Sequence, residues 1–138
     1  MTPIPTQFDV PRNTFYSTFE FHVNLVTISG ADVVSAFTPG FAGKIIKMYW
    51  VTNTVTTDIN GAATFKPYIG SLLVSGGVVT IGHVAGDQAT LGLVVNGTSV
   101  IGSNVFSNID TLKIVASSVT AYDDGDGQLV LVLAMNVL

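Results

Sequence analysis

The sequence predicts an all-β fold, a single-domain antiparallel β-sandwich that is jelly-roll-like. Three observations predict it. Val, Ile and Thr supply 46 of the 138 residues, and these side chains suit a pleated surface and lose rotamer freedom in a helix. Short apolar runs are separated by turn signals at the spacing of a sandwich or jelly roll. No window carries apolar residues at i, i+3 and i+4 over a helical length. A helical turn near Val84–Leu93 is the one candidate, and Gly86 and Gly92 weaken it.

Taken in order, the chain opens with residues 1–15, which hold Pro3, Pro5 and Pro11. Proline fixes φ and removes a donor, so this segment cannot pair regularly in a sheet centre. It also carries Ile4, Phe8, Val10 and Phe15. Large apolar groups on an extended segment predict an arm that docks on another surface, with folding back on its own domain as the alternative. Residues 16–138 are then the β-sandwich domain. The run Phe19-Glu20-Phe21-His22-Val23-Asn24-Leu25 alternates with period two, which predicts one buried and one wet face. Lys44–Val51 is a second strand, with Ile45, Lys47, Tyr49 and Val51 assigned to one face and Ile46, Met48 and Trp50 to the other. Further strands are expected at about 32–37, 63–69, 72–74, 78–82, 91–95, 98–101, 110–119 and 128–137.

The last of these is apolar on both faces from Leu129 to Met135, which marks a central strand or one at a subunit contact. Leu129, Leu131, Leu133 and Met135 are therefore candidate oligomer-interface residues. Asn96-Gly97 reads as a type I′ hairpin turn and Gly70-Ser71 as a type II′ turn. Asn60-Gly61 and Gly76-Gly77 mark two more turns, and Asp123-Asp124-Gly125-Asp126-Gly127 separates two strong strands.

Composition narrows the function. Charged residues make up 10% of the chain and apolar ones 48%, against about 25% charged in an ordinary soluble domain. So little charge leaves little to keep copies apart, which predicts a homo-oligomer, a trimer in preference to a dimer. The net charge is −4, and Arg12, Lys44, Lys47, Lys66 and Lys113 do not cluster. No nucleic acid is expected as a partner, because binding it needs a positive footprint. No membrane is expected either, since no apolar run approaches the roughly 18–20 residues of a spanning helix. The start has neither a basic head nor an apolar core, so it does not read as a secretory signal.

No cofactor is expected. There is no cysteine, so thiolate metal sites and thiol catalysis are excluded. Gly40-Phe41-Ala42-Gly43-Lys44 has two residues between its glycines, and Ile45 follows the lysine. A phosphate loop needs four residues there, a hydroxyl residue and a helix. Asp123, Asp124 and Asp126 lack the spacing of a calcium loop, and a solvated turn is the simpler reading. His22 and His83 are the only histidines, too few for an ordinary metal site, and no Gly-x-Ser-x-Gly accompanies them. The chain therefore reads as no enzyme. Tyr49, Trp50, Phe65 and Tyr68 are candidates for an aromatic platform for sugar, with core packing the simpler reading.

Three stretches carry a resemblance. Gly43-Lys44-Ile45-Ile46-Lys47-Met48-Tyr49-Trp50-Val51, Ala62-Ala63-Thr64-Phe65-Lys66-Pro67-Tyr68-Ile69-Gly70 and the run from Asn104 to Ser118 resemble small virion structural proteins of tailed bacteriophages, the capsid decoration or cement proteins. The acidic turn and the closing apolar strand belong to the same resemblance, which covers about residues 40–138 and leaves out the arm. It implies a jelly-roll-like protein, made in the host cytoplasm, that sits on the capsid exterior. It further implies dimers or trimers that clamp neighbouring capsomers, with the major capsid protein as partner. A receptor- or carbohydrate-binding module of a phage tail and a small lectin-like domain of cellular origin are the alternatives.

Overall fold

The computed structural model describes residues 14–82, 90–120 and 122–136. It shows ten strands: β1 (Thr14–Asn24), β2 (Asp32–Phe37), β3 (Gly43–Thr54), β4 (Ala62–Ile69), β5 (Leu72–Leu73), β6 (Val79–Gly82), β7 (Val94–Asn96), β8 (Val105–Phe106), β9 (Leu112–Thr120) and β10 (Asp126–Asn136). The described residues contain no helix. The first sheet runs β1-β10-β3-β7, with β8 also on β3, and the second runs β2-β9-β4-β5, with β6 also on β4. All the ladders are antiparallel. First strand beside last in one sheet and second beside next-to-last in the other is the strand order of a jelly roll.

β1 follows its alternation. Phe19, Phe21 and Val23 turn toward the core while Glu20, His22 and Asn24 stay exposed. Its register with β10 is unbroken from Thr14↔Asn136 to Asn24↔Asp126. β10 lies between β1 and β3, and its side chains are buried on both faces from Leu129 to Ala134. That accounts for its continuous apolar run.

β3 departs from the expected faces. Its register against β10 shifts between Val132 and Leu133, which pair with Lys47 and Ile45. The extra residue, Ile46, is a β-bulge that resets the alternation. Ile45 therefore joins Met48 and Trp50 inside, and Ile46 is 36% exposed. β4 contains Pro67, which would break a regular ladder. It lies between the stretch of β4 paired with β6 (Ala62–Phe65) and the stretch paired with β5 (Tyr68–Ile69), so that side of β4 needs no N–H there.

Turn chemistry held at one hairpin and failed at another. Gly70, at φ 59°, turns β4 into β5 with Ile69↔Leu72 and Tyr68↔Leu73 in register. Asn96-Gly97 makes no hairpin, because β7 and the next strand, β8, both pair with β3. A Cβ on Gly97 would press on Met48 O and the backbone of Gly77, so this glycine serves close backbone approach. The strand expected at 98–101 is instead a crossing segment. Thr98 N–H donates to Val78 O, Ile101 N–H to Ser75 O, and Asn104 O accepts from Ile45 N–H. The suggested helical turn at Val84–Leu93 falls largely outside the described residues; Thr90–Leu93 form a turn.

The core lies between the sheets. Trp50 from β3 stacks on Phe65 from β4, with centroids 5.7 Å apart and planes 10° from parallel. Its buried indole N–H donates to Thr52 Oγ1 at 3.0 Å. Gly127 lies beneath the indole, where a Cβ would collide with the ring and with Val51 O.

Candidate assembly surfaces

The acidic loop is a tie between loops. Asp124 Oδ1 accepts from Thr56 Oγ1 at 2.6 Å and from Thr57 N–H at 2.8 Å, and Oδ2 accepts from Thr57 Oγ1 at 3.0 Å. These bonds, the one from Thr56 foremost, hold the Asp124 carboxyl below its ordinary range. Asp58 answers from the β3–β4 loop, accepting from Asn60 N–H and from Asp123 N–H. The loop before β10 is thereby fastened to the loop before β4. Asp123, Asp124 and Asp126 do not converge on one point, and among the described residues no three His, Asp or Glu side chains are placed to hold a metal ion.

His22 and Asp126 form the second polar contact. His22 Nε2 lies 2.9 Å from Asp126 Oδ2, joining β1 to the start of β10. This hydrogen bond is the main reason the Asp126 carboxyl lies below its ordinary range. His22 also borders a polar cleft of about 290 Å³ with Asn24, Thr27, Ser29 and Asp32. No nucleophile is aligned with the imidazole by a hydrogen bond among the described residues. His83 lies outside them.

The aromatic platform is dispersed. Trp50 and Phe65 are fully buried in the core. Tyr49 and Tyr68 lie on the outer faces of opposite sheets, beneath Lys47 and Lys113 respectively, each 5.5 Å from the ammonium nitrogen. Four aromatics close in sequence therefore do not share a surface. Period two sends neighbours to opposite faces, and β3 and β4 belong to different sheets.

The interface candidates divide in the same way. Ile4, Phe8 and Val10 lie outside the described residues. Phe15 is paired with Met135 at the start of β1 and is 52% exposed. Leu129, Leu131 and Leu133 face the second sheet and belong to the core, with at most 1% exposure. They present no surface to another copy. Met135 is half-buried. The outward side of β10 carries Val130, Val132 and Ala134. Val132 shares a shallow groove of about 490 Å³ with Thr18, Lys47, Tyr49, Val94 and Asn96.

One surface went unread in the sequence. Leu72, Ile101, Val105 and Ile109 are each more than half exposed. With Phe15 they lie in and beside the connections near the end where β1 begins and β10 ends. The available signal is apolar residues set in turn-forming company, as in Ile101-Gly102-Ser103 and Asn108-Ile109-Asp110.

No family model and no curated protein matches this chain. Two solved structures have a broadly similar course. One is a chain of the capsid asymmetric unit of cyanophage Pam1, at 10% identity and a TM-score of 0.45, covering 91% of this chain and 86% of that one. The other is from desmodium yellow mottle tymovirus, at 10% identity and a TM-score of 0.36, covering 99% of this chain and 93% of that one.

Proposed function

We propose that this chain is a non-enzymatic virion structural protein of a tailed phage, binding the outside of the capsid and stabilising contacts between capsomers. The observation that carries the reading is the exposed apolar end of the sandwich. Phe15, Leu72, Ile101, Val105 and Ile109 lie open there, on a chain with only 10% charged residues. Apolar surface gathered at one end of a domain suits docking on a partner, and these residues are proposed to serve as such a surface. The segment with Pro3, Pro5 and Pro11 joins β1 at this end. An extended segment loses less entropy on docking than a flexible one. Its Ile4, Phe8 and Val10 would extend the same apolar contact onto the major capsid protein. A protein that binds only the assembled shell opposes its separation by mass action, and repetition over the lattice multiplies the effect.

The test adds purified full-length chain, and a variant lacking residues 1–13, to undecorated capsids. Occupancy is read by sedimentation and by cryo-EM of the particle. Full-length chain on the outer shell, with occupancy falling sharply in the truncated form, is the expected result. Equal decoration by both forms removes the arm from the mechanism. No decoration by either, from chains that remain folded, overturns the proposal.

A further inference from the structure

We infer that β1 is a docking edge for a second copy of this chain, pairing antiparallel with the partner's β1 so that two first sheets join across a two-fold axis. The inference stands on the fold and is independent of the virion reading.

Both β1 and β2 end their sheets on the same flank of the sandwich, and they are built differently. β2 is six residues long, and its register against β9 shifts twice, between Asp32 and Val34 and between Val34 and Phe37. Such irregularity spoils an edge as a template. β1 has 11 residues, no register shift, no proline, and Glu20 and His22 as its only titratable groups besides Tyr16. Among the described residues it pairs with β10 alone. A long, regular edge with few charges invites another strand.

The flank is also incompletely covered. Phe19 and Phe21 of β1 pack on Phe37 of β2 at 5.5 and 5.3 Å between centroids. All three remain only partly buried. A second copy laid along β1 would close over this aromatic group.

Charge selects the occupant and the register. A pairing must keep core faces together, so paired residue numbers sum to an even number. A sum of 40 sets Glu20 against its own copy, which is repulsive. A sum of 42 sets Glu20 opposite His22, Phe19 opposite Val23 and Thr18 opposite Asn24, with Phe21 on the axis. His22 already bonds Asp126 through one ring nitrogen, and as the imidazolium, with an N–H on both nitrogens, it can donate the other to a second carboxylate. The edge is thus complementary to itself. Residues 1–13 fit it poorly, because Pro3, Pro5 and Pro11 lack the N–H groups a ladder needs. A two-fold pairing of this kind closes as a dimer, where composition had favoured a trimer.

The full chain has no cysteine, so single cysteines at 18, 20, 22 and 24 report the register. Each lies on the exposed face of β1. In the inferred dimer, positions 20 and 22 are displaced from their own copies by two residues along the strand, about 7 Å, and positions 18 and 24 by six, about 20 Å. The expected result is a dimer by sedimentation equilibrium. Cross-linking by a short bismaleimide should be strong at 20 and 22 and weak at 18 and 24. Glu20→Ala should weaken the dimer about two- to fivefold for each Glu20–His22 pair removed, with the melting temperature of the dissociated chain unchanged. A chain that stays monomeric overturns the inference, as does a dimer whose cross-links do not peak at 20 and 22. So does an intramolecular cross-link in a double-cysteine variant, between a cysteine placed within residues 1–13 and one at position 20 or 22 of the same chain. Unchanged association of Glu20→Ala rejects the Glu20–His22 register.

Discussion

β10 and β1 are neighbours over their whole length, and they use apolar residues to opposite ends. β10 is the more hydrophobic, yet Leu129, Leu131 and Leu133 are consumed by its own core, and its outer Val130 and Val132 are at most 9% exposed. β1 alternates with polar residues, and along its outer side its backbone pairs with no other described strand. A strand's hydrophobicity therefore reports how completely its own chain covers it. Availability to a partner is reported by its place in the sheet.

The largest expected effect tests the central strand. Leu131→Ala should cost about 2–5 kcal/mol of stability in urea unfolding, as expected for a side chain with 1% exposure. Thr18→Ala on the exposed face of β1 should cost under about 1 kcal/mol. Similar losses at the two sites would break the contrast. Gly127→Ala comes next. It places a methyl group against the Trp50 ring and should cost about 1–3 kcal/mol by overpacking, with a shift in tryptophan emission as a second reading.

A smaller effect belongs to the loop that delivers β10. The Asp124 carboxyl is held below its ordinary value of 3.8 by Thr56 and Thr57. Its folded pKa is depressed, so its contribution is complete above the ordinary aspartate range. It is lost as pH falls through that range to the depressed value. Stability measured between pH 6 and pH 2 should therefore fall less steeply in Asp124→Asn than in the native chain. The smallest effect lies at the bridge between the two strands. His22→Ala removes the main cause of the lowered Asp126 pKa, so the carboxyl should titrate closer to 3.8 when followed by NMR. Thr54 of β3 also hydrogen-bonds the Asp126 carboxyl, and an unmoved Asp126 would show that this residue, and not β1, sets its ionisation.

Much of this contrast was legible in advance. The alternation Phe19–Leu25 revealed the faces of β1, and the unbroken run Leu129–Met135 revealed a strand covered on both sides. What covers it was not legible, because a core and a partner leave the same apolar signature. The bulge at Ile46 was also invisible. It depends on how β3 meets β10, and a strict period of two sent Ile45 to the wrong face. Asn96-Gly97 misled for a related reason. A dipeptide that permits a hairpin also permits close passage of two backbones, and the contact with Met48 and Gly77 decides between them. The tie from Asp124 to Thr56 and Thr57 joins residues 67 or more positions apart, beyond what local spacing can express.

The place of β10 between β1 and β3 has a consequence for synthesis. Of the described strands, this one is the last that the ribosome delivers. Until it arrives, β1 and β3 each lack the neighbour that satisfies their facing N–H and C=O groups. The nascent chain must carry two open edges until β10 emerges, when mispairing between copies on one message is easiest. Insertion of β10 would then be the step that commits the domain, so shortening the chain from its C-terminal side should act as a switch in solubility rather than as a gradual loss.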